Sequence, residues 1–213
     1  YKVSEQEYIY GRVLFDVTKQ YLKEEAAENK YNYLNVFNKC FLIETFIGVA
    51  HSLEEINMNK KAVISSFVSS DFFAEDECEI IGNEKIDITL VSFPEVLSSY
   101  NYNIYFSVGE LSLPIPLTSE EYNEIKVHPS FGSGYWIVVA TLDYSNRVDL
   151  IEDGDKHENY FRFSDLRSLP VIRKKIYDLA KEDSNWINRP IVYQNRWFIW
   201  VRNSSKTLCH SVV

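Results

Sequence analysis

A chain of 213 residues with 46% hydrophobic and 25% charged residues suits one globular domain with a substantial core, which excludes a disordered or fibrous protein. Its formal net charge of −9 comes from an acidic middle segment, residues 62–146, through which nucleic-acid binding is disfavoured. The longest nearly apolar run, residues 40–50, is too short to cross a bilayer and contains Glu44. We therefore expect a single soluble domain, residues 1–213, with no membrane partner.

Two helices are predicted at the start of the chain. Residues 4–28 begin with Ser4 and Glu7 in the spacing of a capping box, and apolar residues then recur at three- and four-residue steps. Residues 33–56 are apolar on most sides, which is typical of a buried helix. We expect residues 1–61 to form a helical layer that packs on the rest of the domain.

From residue 62 onward, the pattern favours strands joined by tight turns. Two hairpins are predicted around Gly82-Asn83 and Gly109-Glu110, and further strands at residues 135–143 and 147–151. A last hairpin is predicted around Gln194-Asn195. We expect a β-rich region over residues 62–213.

Short helices interrupt these strands. Thr118 and Glu121 have the spacing of a second capping box, and Pro170 begins a helix that runs to about residue 181. The sequence therefore predicts an α+β fold: two N-terminal helices packed on a largely antiparallel sheet of hairpins, with short inserted helices.

The three cysteines, Cys40, Cys78 and Cys209, are far apart and odd in number. They have neither the spacing of a C-x-x-C pair nor that of a zinc site, and a reducing compartment accounts for them. We expect reduced, dispensable thiols, a cytoplasmic location, no metal and no cofactor.

The excess negative charge lies in the middle of the chain. Residues 62–146 carry a net charge of −11, against −1 for residues 1–61 and +3 for residues 147–213. An anionic surface repels phosphates and attracts a basic protein. An acidic surface that serves solubility alone remains the other interpretation.

A charged loop, residues 149–158, adds to this imbalance. It holds five acids, with only Lys156 and His157 among them, and its spacing is not that of a calcium loop. A hydrated turn is the first interpretation, an acidic docking loop flanked by aromatic residues is the second, and metal or acid–base chemistry is the third. The predicted partner-binding residues are Glu152, Asp153, Asp155, Glu158, Tyr160 and Trp200.

An enzyme is the main alternative, with a site assembled from scattered residues such as Glu44, His128 and His157. No catalytic motif supports it. In the predicted second helix, Glu44 and His51 share a face but lie about 10 Å apart along the axis. A structural ion pair or a place on a solvent-facing stripe is therefore the favoured interpretation of Glu44, over a functional role.

A second alternative is a nucleic-acid-associated protein that uses the C-terminal hairpin, where arginines and tryptophans interleave. Trp197 falls on one face of this hairpin, while Arg196 and Trp200 fall on the other. Mixed arginine and aromatic surfaces are typical of protein interfaces. The favoured function is thus a non-catalytic acidic protein that binds a basic protein, as inhibitors and toxin-neutralising (immunity-type) proteins do.

Overall fold

The protein has an α+β fold with two three-stranded antiparallel sheets, seen in a computed structural model. The structure describes residues 1–21, 33–74, 78–87, 90–109, 111–125, 134–156 and 165–182. The first sheet has the order β1 (Gly11–Asp16), β2 (Cys40–Phe46) and β3 (Lys61–Ser69). The second has the order β4 (Glu95–Tyr100), β5 (Asn103–Val108) and β6 (Leu111–Ile115).

Three α-helices follow the strands in the described part of the chain: α1 (Ser119–Ile125), α2 (Gly134–Tyr144) and α3 (Pro170–Glu182). A π-helical turn, Val17–Tyr21, follows β1. The short 3-10 turns are Tyr33–Phe37, Leu53–Glu55, Ser70–Ala74, Val148–Leu150, Asp153–Asp155 and Leu166–Ser168. In the described ranges, no helix has the length and apolar character that a bilayer span requires.

The predicted layer of two N-terminal helices is wrong. β1 lies inside the first predicted helix and β2 inside the second, and α1 is the first α-helix of the described residues. The Ser4 hydroxyl does donate to Glu7 Oε2 over 3.1 Å, but on a bend rather than at a helix start. β2 is buried on nearly every side because both faces of its sheet are covered, so its sequence lacks strand alternation.

The strand predicted at 135–143 is also wrong, because these residues form α2. Its side chains at Ile137, Val138 and Leu142 are all buried, so burial gives no helical stripe to recognise. The β-branched residues of this segment have a weak intrinsic preference for strands, and packing in the buried core overrides that preference. Residues 147–151 contain a 3-10 turn, and residues 78–87 contain no strand, so those two predictions fail as well.

Three predictions that rest on turn or cap chemistry are confirmed, unlike those at Ser4/Glu7 and Gly82-Asn83. Gly109 has a φ of 56° where β5 turns into β6. At the start of α1, the Glu121 amide donates to Thr118 Oγ1 and the Thr118 amide donates to the Glu121 carboxylate. Pro170 is the first residue of α3. The C-terminal hairpin lies outside the described residues.

The first sheet is covered on both faces. On one face, Ile43, Val63 and Val68 pack with Ile137 and Leu142 of α2. The other face packs into a second cluster with the segment before β4. Its members include Leu14, Leu42, Phe67 and Val96, with Ile86, Val91 and Phe93 against them.

The second sheet is covered by α3. Leu97 and Phe106 lie in one cluster with Ile176 of α3 and with Leu166, and Tyr122 and Ile125 of α1 pack against it. The interior of these strands is uncharged, unlike that of the first sheet.

Arg167 joins the two sheets. Its guanidinium forms an ion pair with Asp165 and donates to the Ser65 carbonyl of β3 over 2.8 Å and to the Ser92 carbonyl over 3.1 Å. The side chain is only 9% exposed. The turn before α3 is therefore fixed to the outer strand of the first sheet.

Candidate functional site

The predicted acidic loop lies where the chain leaves α2, and we name residues 149–156 the acidic turn. Ile151 is buried in the cluster shared with α2 and anchors the turn. Glu152 and Asp153 face solvent, and the Asp153 side chain is 97% exposed. The turn is thus fixed at its base and presents carboxylates outward.

Asp155 has a structural role within the acidic turn. The hydroxyl of Tyr135, in α2, donates to Asp155 Oδ2 over 2.9 Å. Burial raises the pKa of Tyr135 to about 12, and the hydrogen bond and the negative charge of Asp155 contribute to the shift. Because it holds the turn against α2, Asp155 belongs to the support and not to the free surface.

Two cations partly neutralise the acidic turn. Lys156 pairs with Asp153 over 2.6 Å, and this hydrogen bond holds the pKa of Asp153 below its usual range. Arg147 pairs with Glu7 over 2.7 Å and with Asp149 over 3.0 Å, and its hydrogen bonds lower the pKa of both carboxyls. No cation pairs with Glu152 among the described residues. The turn remains net negative.

The structure brings together Glu152, Asp153 and Asp155 of the predicted contact residues. Glu158, Tyr160 and Trp200 lie outside the described residues, as do His128 and His157 of the alternative catalytic set. In the described ranges, no three His, Cys, Asp or Glu side chains are grouped so that they could hold a metal ion.

Among the described residues Glu44 is the most deeply buried carboxylate, with its side chain 1% exposed, and of the two predicted arrangements it has the ion pair and not the solvent-facing stripe. Arg12 on β1 donates to Glu44 Oε1 through two nitrogens, at 2.5 and 3.0 Å, and Lys61 on β3 contacts Oε2. We name Arg12, Glu44 and Lys61 the charge row, because they cross the three strands of the first sheet. Arg12 also reaches Glu84 over 3.2 Å. Both Glu44 oxygens are engaged by cations, an arrangement suited to structure rather than to proton transfer.

A second buried carboxylate, Glu95 of β4, escaped sequence reasoning. Arg173 of α3 donates to both of its oxygens over 2.6 Å, and the Tyr177 hydroxyl donates to Oε1 over 2.9 Å. Burial raises the pKa of Tyr177 to about 12, with a contribution from Glu95. The only signal was that Arg173 and Tyr177 lie four residues apart on a predicted helix, which places them on one face.

The β4–β5 hairpin carries a feature that sequence reasoning also missed. Tyr100 pairs with Asn103, so Asn101 and Tyr102 form a two-residue turn with φ values of 48° and 63°. Turns of this kind favour Asn-Gly, and a tyrosine in the left-handed region costs about 1–2 kcal/mol. Tyr102 is 99% exposed and Tyr100 is 60% exposed. We name Tyr100, Asn101 and Tyr102 the tyrosine tip.

The chain matches no protein-family model, and searches of curated proteins and of solved structures found no similar protein. Three places in the described part of the molecule remain as candidates for a function: the acidic turn, the buried ion pairs and the tyrosine tip.

Proposed function

We propose that this chain is a non-catalytic protein-binding module that docks a basic partner protein through the acidic turn, as an inhibitor or an immunity-type protein does. The observation that carries the proposal is that Glu152 and Asp153 are exposed on a turn that is itself held in place. They face solvent on a short turn whose base is held by buried Ile151 and by the Tyr135–Asp155 hydrogen bond. Charges fixed in this way lose little conformational freedom when a partner binds.

The buried ion pairs support a binding function over a catalytic one. The carboxylates of Glu44 and Glu95 are each held by cations from neighbouring elements. A general acid or base must reach the substrate, and these groups are enclosed in the fold.

The test is a charge reversal that spares the support of the turn. Glu152→Lys with Asp153→Lys alters the exposed acids and leaves Asp155 on Tyr135. Glu120→Lys with Glu124→Lys, on the exposed side of α1, is the matched control. Partners captured by the wild-type chain at low salt are purified, and their association rates are measured across a salt series.

We expect the wild-type association rate to fall steeply with salt, since the Debye length shrinks from about 30 Å at 0.01 M to about 8 Å at 0.15 M. The turn variant should associate at least about tenfold more slowly at low salt, and the α1 variant should retain most of the rate. Equal rates for the wild type and the turn variant, or a rate that salt does not change, would contradict docking through the acidic turn.

A further inference from the structure

The acidic turn contains a peptide bond at which the main chain can rearrange. Gly154 follows Asp153, and nowhere else in the 213 residues does a glycine follow an aspartate or an asparagine. The carboxyl carbon of an aspartate side chain can be attacked by the nitrogen of the next residue, which closes a five-membered ring, and such intramolecular reactions gain greatly from proximity. A glycine nitrogen is the easiest to reach, because no Cβ stands beside it. The sequence therefore singles out this one bond.

The structure leaves both reacting groups accessible. The Asp153 side chain is 97% exposed, and a Cβ built at Gly154 would meet no atom within 4 Å outside its chain neighbours. The hydrogen bond that closes the turn is donated by the Asp155 amide to the Glu152 carbonyl over 2.9 Å, so it does not engage the Gly154 nitrogen. Once its ion pair with Lys156 opens, the side-chain carboxyl can therefore reach this nitrogen by rotation about its own bonds.

Asp149, in the same turn, lacks both advantages. Leu150 follows it, so a branched side chain stands beside the nitrogen that would attack. The Arg147 guanidinium donates to both Asp149 oxygens, over 3.1 Å to Oδ1 and 3.0 Å to Oδ2, and holds the carboxylate in place. Asp153 is held by Lys156 at Oδ1, which is a weaker restraint than a bidentate guanidinium. Ring closure is therefore expected at Asp153 and not at Asp149.

We propose that the Asp153–Gly154 bond is a site of spontaneous aspartate isomerisation, with water as the only co-reactant. The Gly154 nitrogen attacks Cγ of Asp153. The N–Cγ bond forms, the Cγ–OH bond breaks, and the amide proton leaves with the hydroxyl group as water, so that a succinimide ring results. Water then adds to one of the two ring carbonyls. Opening at Cγ restores aspartate, and opening at the main-chain carbonyl gives isoaspartate, whose main chain runs through Cγ.

Proton binding by Asp153 sets the pH dependence of this reaction. Only the protonated carboxyl can lose its hydroxyl group as water, whereas a carboxylate would have to expel an oxide ion. The hydrogen bond from Lys156 holds the pKa of Asp153 below its usual range, and the acids beside it in the turn, Glu152 and Asp155, do not reverse that direction. We therefore expect the reaction to speed up as the pH falls, and Lys156 to slow it at neutral pH.

Isomerisation changes the exposed part of the acidic turn and leaves its base in place. Isoaspartate adds one methylene carbon to the main chain, and the former main-chain carboxyl becomes the free acid, so the charge is retained but moves. Buried Ile151 and the hydrogen bond from Tyr135 to Asp155 hold the turn on either side of the new linkage. The modification site stands on the geometry of the turn itself and does not depend on whether a basic protein docks there.

Prolonged incubation of the full chain at about pH 5 and at about pH 8 tests the proposal. A methyltransferase specific for isoaspartate measures how much has formed, and peptide fragmentation in a mass spectrometer locates it. Gly154→Ala is the test variant, because the added methyl group meets no neighbour and the φ of Gly154 is not in the left-handed region. If circular dichroism shows that alanine alters the fold, Asp153→Glu replaces it, since glutamate keeps the charge but needs a less favourable six-membered ring.

Two asparagine variants test whether the turn lets the ring close. Asp153→Asn forms the same succinimide with ammonia as the leaving group, in a reaction that base accelerates. Asp149→Asn is the matched control, because it places asparagine before Leu150 in the same turn. At about pH 8, Asp153→Asn should therefore form isoaspartate faster than the wild type, and Asp149→Asn should not.

We expect isoaspartate at position 153 of the wild type, formed several-fold faster at the lower pH, and at least about tenfold less of it in Gly154→Ala. A wild type without isoaspartate at position 153 overturns the proposal. Equal amounts in the wild type and in Gly154→Ala, or at positions 149 and 153, overturn it too, because the reaction would then not depend on the open glycine. None of these results bears on the docking of a basic protein.

Discussion

The two sheets have the same size and the same antiparallel order, yet they handle charge in opposite ways. The first sheet is covered on both faces and has an ion-paired glutamate at the centre of its middle strand. The second is covered by α3 on one face and is also buried on the other face around Val96 and Ser107, so that only its outer end is exposed; its charge lies at its margin, where Glu95 meets Arg173. A carboxylate between two covered faces must be paired, whereas the exposed end of the second sheet can leave neutral polar residues in water.

The charge row gives the largest expected effect. Arg12→Met with Lys61→Met leaves the Glu44 carboxylate buried without either cation, and we expect the free energy of unfolding to fall by about 3–5 kcal/mol. Denaturant unfolding at neutral pH measures this. Lys19→Met with Lys60→Met, at exposed lysines, is the control and should change it by less than about 1 kcal/mol.

An apolar triple variant sharpens the same comparison. Adding Glu44→Met to the double variant removes the buried charge, and most of the lost stability should return because apolar side chains pack in its place. If the double variant is within about 1 kcal/mol of the wild type, Glu44 is solvated and the contrast between the sheets does not hold.

Substitution of Glu95, at the margin of the second sheet, should lower the free energy of unfolding by less than the charge-row double variant does. Glu95→Gln weakens the hydrogen bonds from Arg173 and Tyr177, and we expect a loss of about 2 kcal/mol, since bonds to charged groups contribute about 1.5–3 kcal/mol. Glu124→Gln, at an exposed acid of α1, is the control. A loss as large as that of the charge-row double variant would show that the two sheets depend on buried charge equally.

Alkaline pH tests the same margin through Tyr177. Its pKa is raised to about 12 in the folded protein, against about 10 in the unfolded chain. As the pH rises, the unfolded chain therefore releases this proton before the folded protein does. The contribution of Tyr177 to the free energy of unfolding is fully present below about pH 10 and is lost as the pH rises towards about 12. Tyr177→Phe should flatten the fall in unfolding free energy between about pH 10 and pH 12. An unchanged slope would mean that Tyr177 ionises freely in the folded state.

The smallest effect is expected at the cap of α1, which packs against the second sheet. Thr118→Ala removes the oxygen that accepts the Glu121 amide, and we expect a loss of about 1 kcal/mol in thermal or denaturant unfolding. Thr118→Ser keeps that acceptor and should stay close to the wild type. If serine and alanine are equally destabilising, the methyl group of Thr118 matters and the cap does not.

The elements that the sequence predicted correctly are those specified by local chemistry. The Thr118 cap, Pro170 at the start of α3 and Gly109 in the β5–β6 turn each act within a few residues. By contrast, β2 and α2 are buried on nearly all sides, so neither alternation nor a helical stripe marks them. β2 was therefore predicted as a helix and α2 as a strand. Which of the two forms depends on contacts with residues far along the chain, and a single sequence does not show those contacts.

In the candidate site too, features set by neighbouring residues could be predicted, and features set by distant contacts could not. Acid clustering in one loop was sufficient to predict that Glu152 and Asp153 lie together in a charged turn, because they are neighbours in the sequence; their binding role stays a prediction. The role of Asp155 required Tyr135, twenty residues earlier along the chain. The tyrosine tip was missed because turn chemistry favours Asn-Gly, and Asn101-Tyr102 departs from that rule.

Arg167 has a consequence for aggregation. β3 is nine residues long and lies at the edge of the first sheet, where free backbone groups can recruit a strand from another molecule. The guanidinium of Arg167 already occupies the Ser65 carbonyl, in the middle of β3, and places a positive charge there. An incoming strand would have to displace the guanidinium from the Ser65 carbonyl before it could pair with β3 at that point. We therefore expect Arg167 to hinder the addition of a strand at this edge, as gatekeeper residues do.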